Sequence, residues 1–104
     1  MNFRSTVTAA ACALLVASTT GAFAYTGEQQ FGHQAKITLD QARAIAVKAR
    51  PGQITGQELE KEGGGSGLRF SFDVKSKAGK TYEVGVDAKS GKVLENKAEG
   101  PNPD

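Results

Sequence analysis

The run Gly79-Lys80-Thr81 carries the residue types that close a phosphate-binding loop, where glycine amides and a lysine cradle a nucleotide's phosphates. Such a loop needs a further glycine five positions earlier, and Val74 stands there. Strand-forming residues follow instead of a helix, so no helix N-terminus is offered to a phosphate. His33 is the one histidine of the chain and lies in a polar stretch without period, where nothing would orient it as a base. With Cys12 as the one cysteine it cannot complete a zinc site, which takes about four ligands. Glu58, Glu60 and Glu62 alternate along a strand-like stretch and share one face. A carboxylic acid acts as a catalyst only where a pocket raises its pKa, and strand charges in solvent stay ionised. These residues therefore assign no catalytic, cofactor-binding or metal-ligating role, and the chain is expected not to be an enzyme.

Asp87 and Gly91 suit turn chemistry better than ligand chemistry. An aspartate at the end of a strand can accept hydrogen bonds from turn amides, and a glycine can take the positive φ that such turns require.

The first 24 of the 104 residues read as an export leader. Arg4 supplies a short basic region, an apolar run extends from Val7 to Ala17, and Ala22-Phe23-Ala24 has the small-residue pattern of a signal-peptidase site, placing cleavage between Ala24 and Tyr25. The apolar run is shorter than the ~20 residues that cross a bilayer, so no membrane span is expected in the mature form. Cys12 lies inside the run, where it serves as a small apolar residue rather than a lipid attachment point. Cleavage would leave a chain without a thiol, destined for the periplasm or the extracellular space.

Removing the leader takes away Arg4 and no acid, leaving 12 basic against 11 acidic residues, a net charge of +1. Lysines alternate with acids instead of clustering on one face, so nucleic-acid binding is not expected.

The elements that must position any functional surface follow from periodicity. Residues 25–35 are polar and without period and read as a flexible lead-in, and residues 99–104 as a disordered tail. Between them, 36–98 forms one compact domain. Thr38-Leu39-Asp40-Gln41 has the form of a capping box, with Thr38 as N-cap. Leu39, Ala42, Ile45, Ala46 and Ala49 then fall on one helical stripe, and Pro51-Gly52 ends the helix. Leu68, Phe70, Phe72 and Val74 alternate with polar residues, as do Tyr82, Val84, Val86 and Ala88, which predicts two one-sided strands. A hairpin between them keeps one face apolar with a three-residue loop, either Lys77-Ala78-Gly79 or Ala78-Gly79-Lys80. A less regular strand over Ile54–Lys61 precedes a mobile glycine-rich hairpin loop at 63–67. A short strand over 93–96 follows Lys89-Ser90-Gly91-Lys92. Ile54 and Leu59 have opposite parity, which predicts a bulge or bend. The fold class is α+β: one N-terminal helix on one face of a three- to four-stranded antiparallel meander.

The stretch from Ile37 to Leu94 resembles the PepSY domain family, known from peptidase propeptides and a spore-related protein. The resemblance rests on Ile37–Ala42 opening the helix, Ala49-Arg50-Pro51-Gly52 closing it, Glu58-Leu59-Glu60, Phe70–Val74, and above all the run Glu83–Leu94 with Asp87 and Gly91. It implies an exported bacterial module without an active site that inhibits or regulates a peptidase, here in trans because the chain carries no protease domain. The expected partner is an exported protein, met by the polar sheet face or by edge strands at Ile54, Glu58 and Glu60 or at Val93 and Glu95. The rival readings are an envelope sensor for a small ligand or divalent cation, using Glu58, Glu60, Asp73, Glu83 and Asp87, and a structural envelope protein.

Overall fold

The computed structural model describes residues 25–100. The expected leader, with Cys12 and Ala24, and the last four residues of the expected tail lie outside the described residues.

A short helix α1 (Glu28–Phe31) and a 3-10 turn (Gly32–Gln34) lead into helix α2 (Leu39–Ala49). Strands β1 (Gln53–Lys61), β2 (Leu68–Lys75), β3 (Thr81–Asp87) and β4 (Val93–Ala98) follow. The sheet is antiparallel throughout, in the order β1-β2-β3-β4. This is the α+β meander that the strand parity demands.

Helix α2 begins where its capping box places it. The Gln41 amide donates to Thr38 Oγ1 at 3.0 Å, and the Thr38 amide to Gln41 Oε1 at 2.9 Å. At the other end Arg50 turns to an extended conformation before Pro51. Asn96 of β4 fastens that end, donating from Nδ2 to the Ala49 carbonyl at 3.2 Å while Oδ1 accepts from Arg50 Nε at 3.0 Å. Arg50 also stacks over the Tyr82 ring, 3.9 Å from its centroid. Gly52 follows at a close approach of two backbones, since a Cβ there would lie 2.4 Å from the Lys75 carbonyl oxygen.

The core lies between α2 and one sheet face. Ala42 and Ala46 of the helix stripe meet Leu59, Leu68, Phe70, Phe72, Val74, Val84, Val86 and Ala88, all buried. Two alanines at the contact let the helix axis come close to the sheet, and the two phenylalanine rings, 6.3 Å apart between centroids, fill the space beneath it.

The hairpin between β2 and β3 uses the Lys77-Ala78-Gly79 loop, with Gly79 at φ 87°. Lys75 pairs with Thr81, and Asp73 stands opposite Glu83. The register of β1 shifts between Ile54 and Gly56, so Thr55 is the extra residue that reconciles the parities of Ile54 and Leu59. A second irregularity, between Gly85 and Val86, leaves Leu94 as the extra residue of β4.

Two expectations are corrected. The lead-in at 25–35 folds, because its apolar residues have a surface to pack on: Tyr25, Phe31 and Ala35 pack against the core, and Thr26 forms a parallel bridge with Glu58. The glycine-rich loop, expected to be mobile, is fastened by side chains of two strands. Arg69 Nη2 donates to the Gly63 carbonyl at 3.0 Å, and Ser66 is bound by Asp87.

Candidate functional site

The helix occupies one sheet face, and period two sends the remaining strand side chains to the other. Glu58 and Glu60 of β1, Ser71 and Asp73 of β2, Glu83 of β3 and Glu95 and Lys97 of β4 line a shallow open groove there, with Thr26, Glu62 and Glu99 at its margins. Seven of the lining residues are carboxylates and one is a lysine. Ser71 Oγ donates to Glu60 Oε2 at 2.7 Å, and Lys97 Nζ pairs with Glu95 Oε2 at 3.1 Å. Partial burial raises the Glu83 pKa, and the nearby charges of Glu95, Asp73 and Glu60 raise it further against the opposing pull of Lys97.

Arg69, which is 6% exposed, joins the groove residue Glu95 to the glycine-rich loop. Its Nη1 meets Glu95 Oε1 at 3.1 Å, and its Nε is buried without a hydrogen-bond partner. The Arg69 side chain passes close over Gly85, where a Cβ would stand 3.0 Å from Nη1, 3.3 Å from Cδ and 3.4 Å from Glu95 Cβ. The absence of a side chain at 85 is what lets an arginine from β2 reach an acid on β4 beneath the loop.

Asp87 sits beside this cluster but serves another purpose. Its Oδ2 accepts from the Ser66 amide at 2.7 Å, and its Oδ1 from Ser66 Oγ at 2.7 Å, the Lys89 amide at 2.8 Å and the Ser90 amide at 3.3 Å. Burial alone would raise its pKa. The bonds from Lys89, Ser66 and Ser90 to the ionised form outweigh that and bring it down to about 2. Gly91, at φ 81°, completes the turn by donating from its amide to the Asp87 carbonyl at 2.9 Å.

The residues expected to meet a partner are thus distributed. Glu58, Glu60 and Glu95 face the groove. Ile54 packs against the core at the bulged end of β1, and Val93 is exposed on β4, opposite Val86. The acids considered for a cation divide: Glu58, Glu60, Asp73 and Glu83 share the groove, while Asp87 is consumed by turn amides. Among the described residues no group of three or more histidine, cysteine or acidic side chains is disposed to hold a metal ion. His33 lies in the 3-10 turn, away from the groove. Sequence reasoning passed over Arg69, Ser66 and Gly85. Gly85 was the available signal, because glycine within a strand of otherwise bulky residues marks a close approach.

Helix α2 on a four-stranded meander, with one sheet face committed to the core and the other left polar and open, defines a small α+β module. The family comparison agrees: residues 36–97 match the peptidase propeptide and YPEB domain. The chain belongs to the PepSY family. No curated protein and no solved structure matches it significantly. Among the described residues no helix is long and apolar enough to cross a membrane.

Proposed function

We propose that this chain is an exported, non-enzymatic binding module that restrains a peptidase in trans. The observation that carries the reading is the family match over 36–97, which spans the helix and nearly the whole sheet and ties the chain to domains of peptidase propeptides. The architecture is consistent with it. Helix α2 consumes only one sheet face, leaving the acidic groove and the β4 edge as contact surface while Thr26 bridges the β1 edge at Glu58, and edges accept an added strand through backbone hydrogen bonds. Export rests on the leader pattern of residues 1–24, with cleavage before Tyr25.

The test uses the purified protein as bait on envelope and culture-supernatant fractions, followed by peptidase assays of the recovered proteins. A peptidase whose rate falls as the module is titrated in, with a stoichiometric end point, supports the reading. Recovery of proteins whose peptidase activity the module leaves unchanged removes it. Mass spectrometry of the exported form checks the cleavage position.

A further inference from the structure

The segment 25–35 lies outside the matched family domain, yet it is seated on that domain as a bound ligand would be. The Leu59 amide, on the outer edge of β1, donates to the Thr26 carbonyl at 2.7 Å, and Thr26 pairs with Glu58 in a parallel bridge. The Tyr25 ring stands edge-on to Phe70, 5.6 Å between centroids. Gly27 passes directly beneath the Leu59 carbonyl at φ 92°, where a Cβ would be 2.0 Å from that oxygen. Only glycine fits, on grounds of both space and backbone conformation. Beyond it, the turn of α1 and the 3-10 helix contain no buried residue, so the rest of the segment is held by half-buried contacts such as Phe31, over which Lys61 Nζ lies 5.8 Å from the ring centroid. The Lys36 and Ile37 amides, both donating to the Ala88 carbonyl at 2.9 and 3.1 Å, anchor the segment where it joins the domain.

We propose that residues 25–35 are a displaceable strap, an intramolecular ligand of a strand-accepting site on the β1 edge. The site takes an extended segment of a partner polypeptide once the strap leaves. The strap supplies the recognition rule: an aromatic residue against Phe70, then a residue whose carbonyl meets the Leu59 amide, then a glycine under the Leu59 carbonyl. A one-residue bridge with a flanking aromatic is a small contact. It is effective because the tether holds the strap at a local concentration in the millimolar range, and a partner strand competes against that concentration. This inference rests on the binding-module reading and names the edge such a partner would use.

The experiment uses the wild-type protein, Gly27→Val, and a fluorescently labelled synthetic peptide of the strap sequence Tyr25–Ala35. The valine expels the strap. Amide hydrogen exchange is expected to speed up at Leu59 while Val84 in the sheet centre stays protected. The peptide should then bind Gly27→Val at least about tenfold more tightly than wild type and restore Leu59 protection. Equal binding to both proteins, binding to neither, or an unchanged Leu59 amide in Gly27→Val overturns the proposal. If Gly27→Val loses protection at Val84 as well, Tyr25→Ser releases the same strap without backbone strain and is judged by the same readouts. No peptidase enters this assay, so its failure leaves the inhibition titration standing, and failure of that titration leaves this result intact.

Discussion

Ser66 gives Asp87 both of its donors: its amide reaches Oδ2 and its hydroxyl reaches Oδ1, each at 2.7 Å. The same carboxylate accepts from the Lys89 and Ser90 amides. One side chain therefore joins the glycine-rich loop between β1 and β2 to the turn between β3 and β4.

That relationship makes stability depend on acid. The folded-state pKa of Asp87, about 2, lies below its ordinary value of 3.8, so the folded form holds the proton less tightly. Its stabilisation is complete above about pH 4 and is lost as pH falls through about 2. Asp87→Asn puts an amide NH2 where a donor must be accepted, and about 1–3 kcal/mol should be lost at pH 7. Urea unfolding at pH 7 and pH 2.5 checks this, with the gap between wild type and variant narrowing at the lower pH.

The Arg69–Glu95 pair predicts an inequality. Arg69 is almost wholly buried, with Glu95 and the Gly63 carbonyl as its acceptors. Glu95→Ala leaves that charge without its counter-ion and should cost about 3 kcal/mol. Replacing both, Arg69→Met with Glu95→Met, removes the buried charge itself and should cost clearly less than the single change. Denaturant midpoints of wild type, single and double variants decide the order.

On the groove, Asp73 and Glu83 stand directly opposite each other across β2 and β3. The Glu83 pKa is raised, through burial first and then through the neighbouring acids, so the folded form prefers Glu83 protonated. Its ionisation therefore weakens the fold as pH rises through the folded pKa. Glu83→Gln should raise the thermal midpoint at pH 7, by the equivalent of roughly 0.2–1 kcal/mol for relief of a cross-strand like-charge pair. The gain should shrink as the pH is lowered and the wild-type acid protonates. Calorimetry across pH 4 to 8 checks both the sign and the trend.

How much of this was legible before the fold was seen depends on the range of the interaction. Phe70 and Phe72 on one face and Arg69 and Ser71 on the other are visible because period two is a property of neighbouring residues, and Thr38 with Gln41 is visible because a capping box spans three. A bulge or bend somewhere in β1 follows from the parities of Ile54 and Leu59, and the pairing with β2 puts it at Thr55. The hairpin was narrowed to two loops, and the structure takes the one that faces Asp73 with Glu83. The strap was not legible. After Tyr25 no apolar side chain follows at helical or strand spacing, where Gly27, Glu28 and Gln29 stand, and its partner Phe70 is 45 residues away. Arg69 occupies a position that parity assigns to solvent, and its burial comes from Gly85, Glu95 and the loop at 63–67 closing over it, three tertiary events with no local period. The Lys89 and Ser90 amides on Asp87 are local turn contacts of the kind its place at a strand end suggests, whereas Ser66 reaches it from 21 residues away and leaves no local signal.

The alanine stripe of α2 gives the last prediction. Ala42 and Ala46 are fully buried against β2 and β3, while Leu39 and Ile45, on the same stripe, are only half-buried at its margins. The helix–sheet spacing is therefore set by methyl groups resting over the phenylalanine layer. Ala46→Leu improves neither helix propensity nor burial there. It must lift the helix or force Phe70 and Phe72 off their rotamers, at about 1–3 kcal/mol. Phe70→Ala fails in the opposite sense, leaving a cavity that costs about 3–5 kcal/mol and removing the ring that Tyr25 packs on. Hydrogen exchange separates the two. The Leu59 amide, held by Thr26, should lose protection disproportionately in Phe70→Ala, whereas Ala46→Leu should lower protection across the sheet in step with global stability. Equal loss at Leu59 in both variants would mean that Tyr25 contributes little to seating the strap.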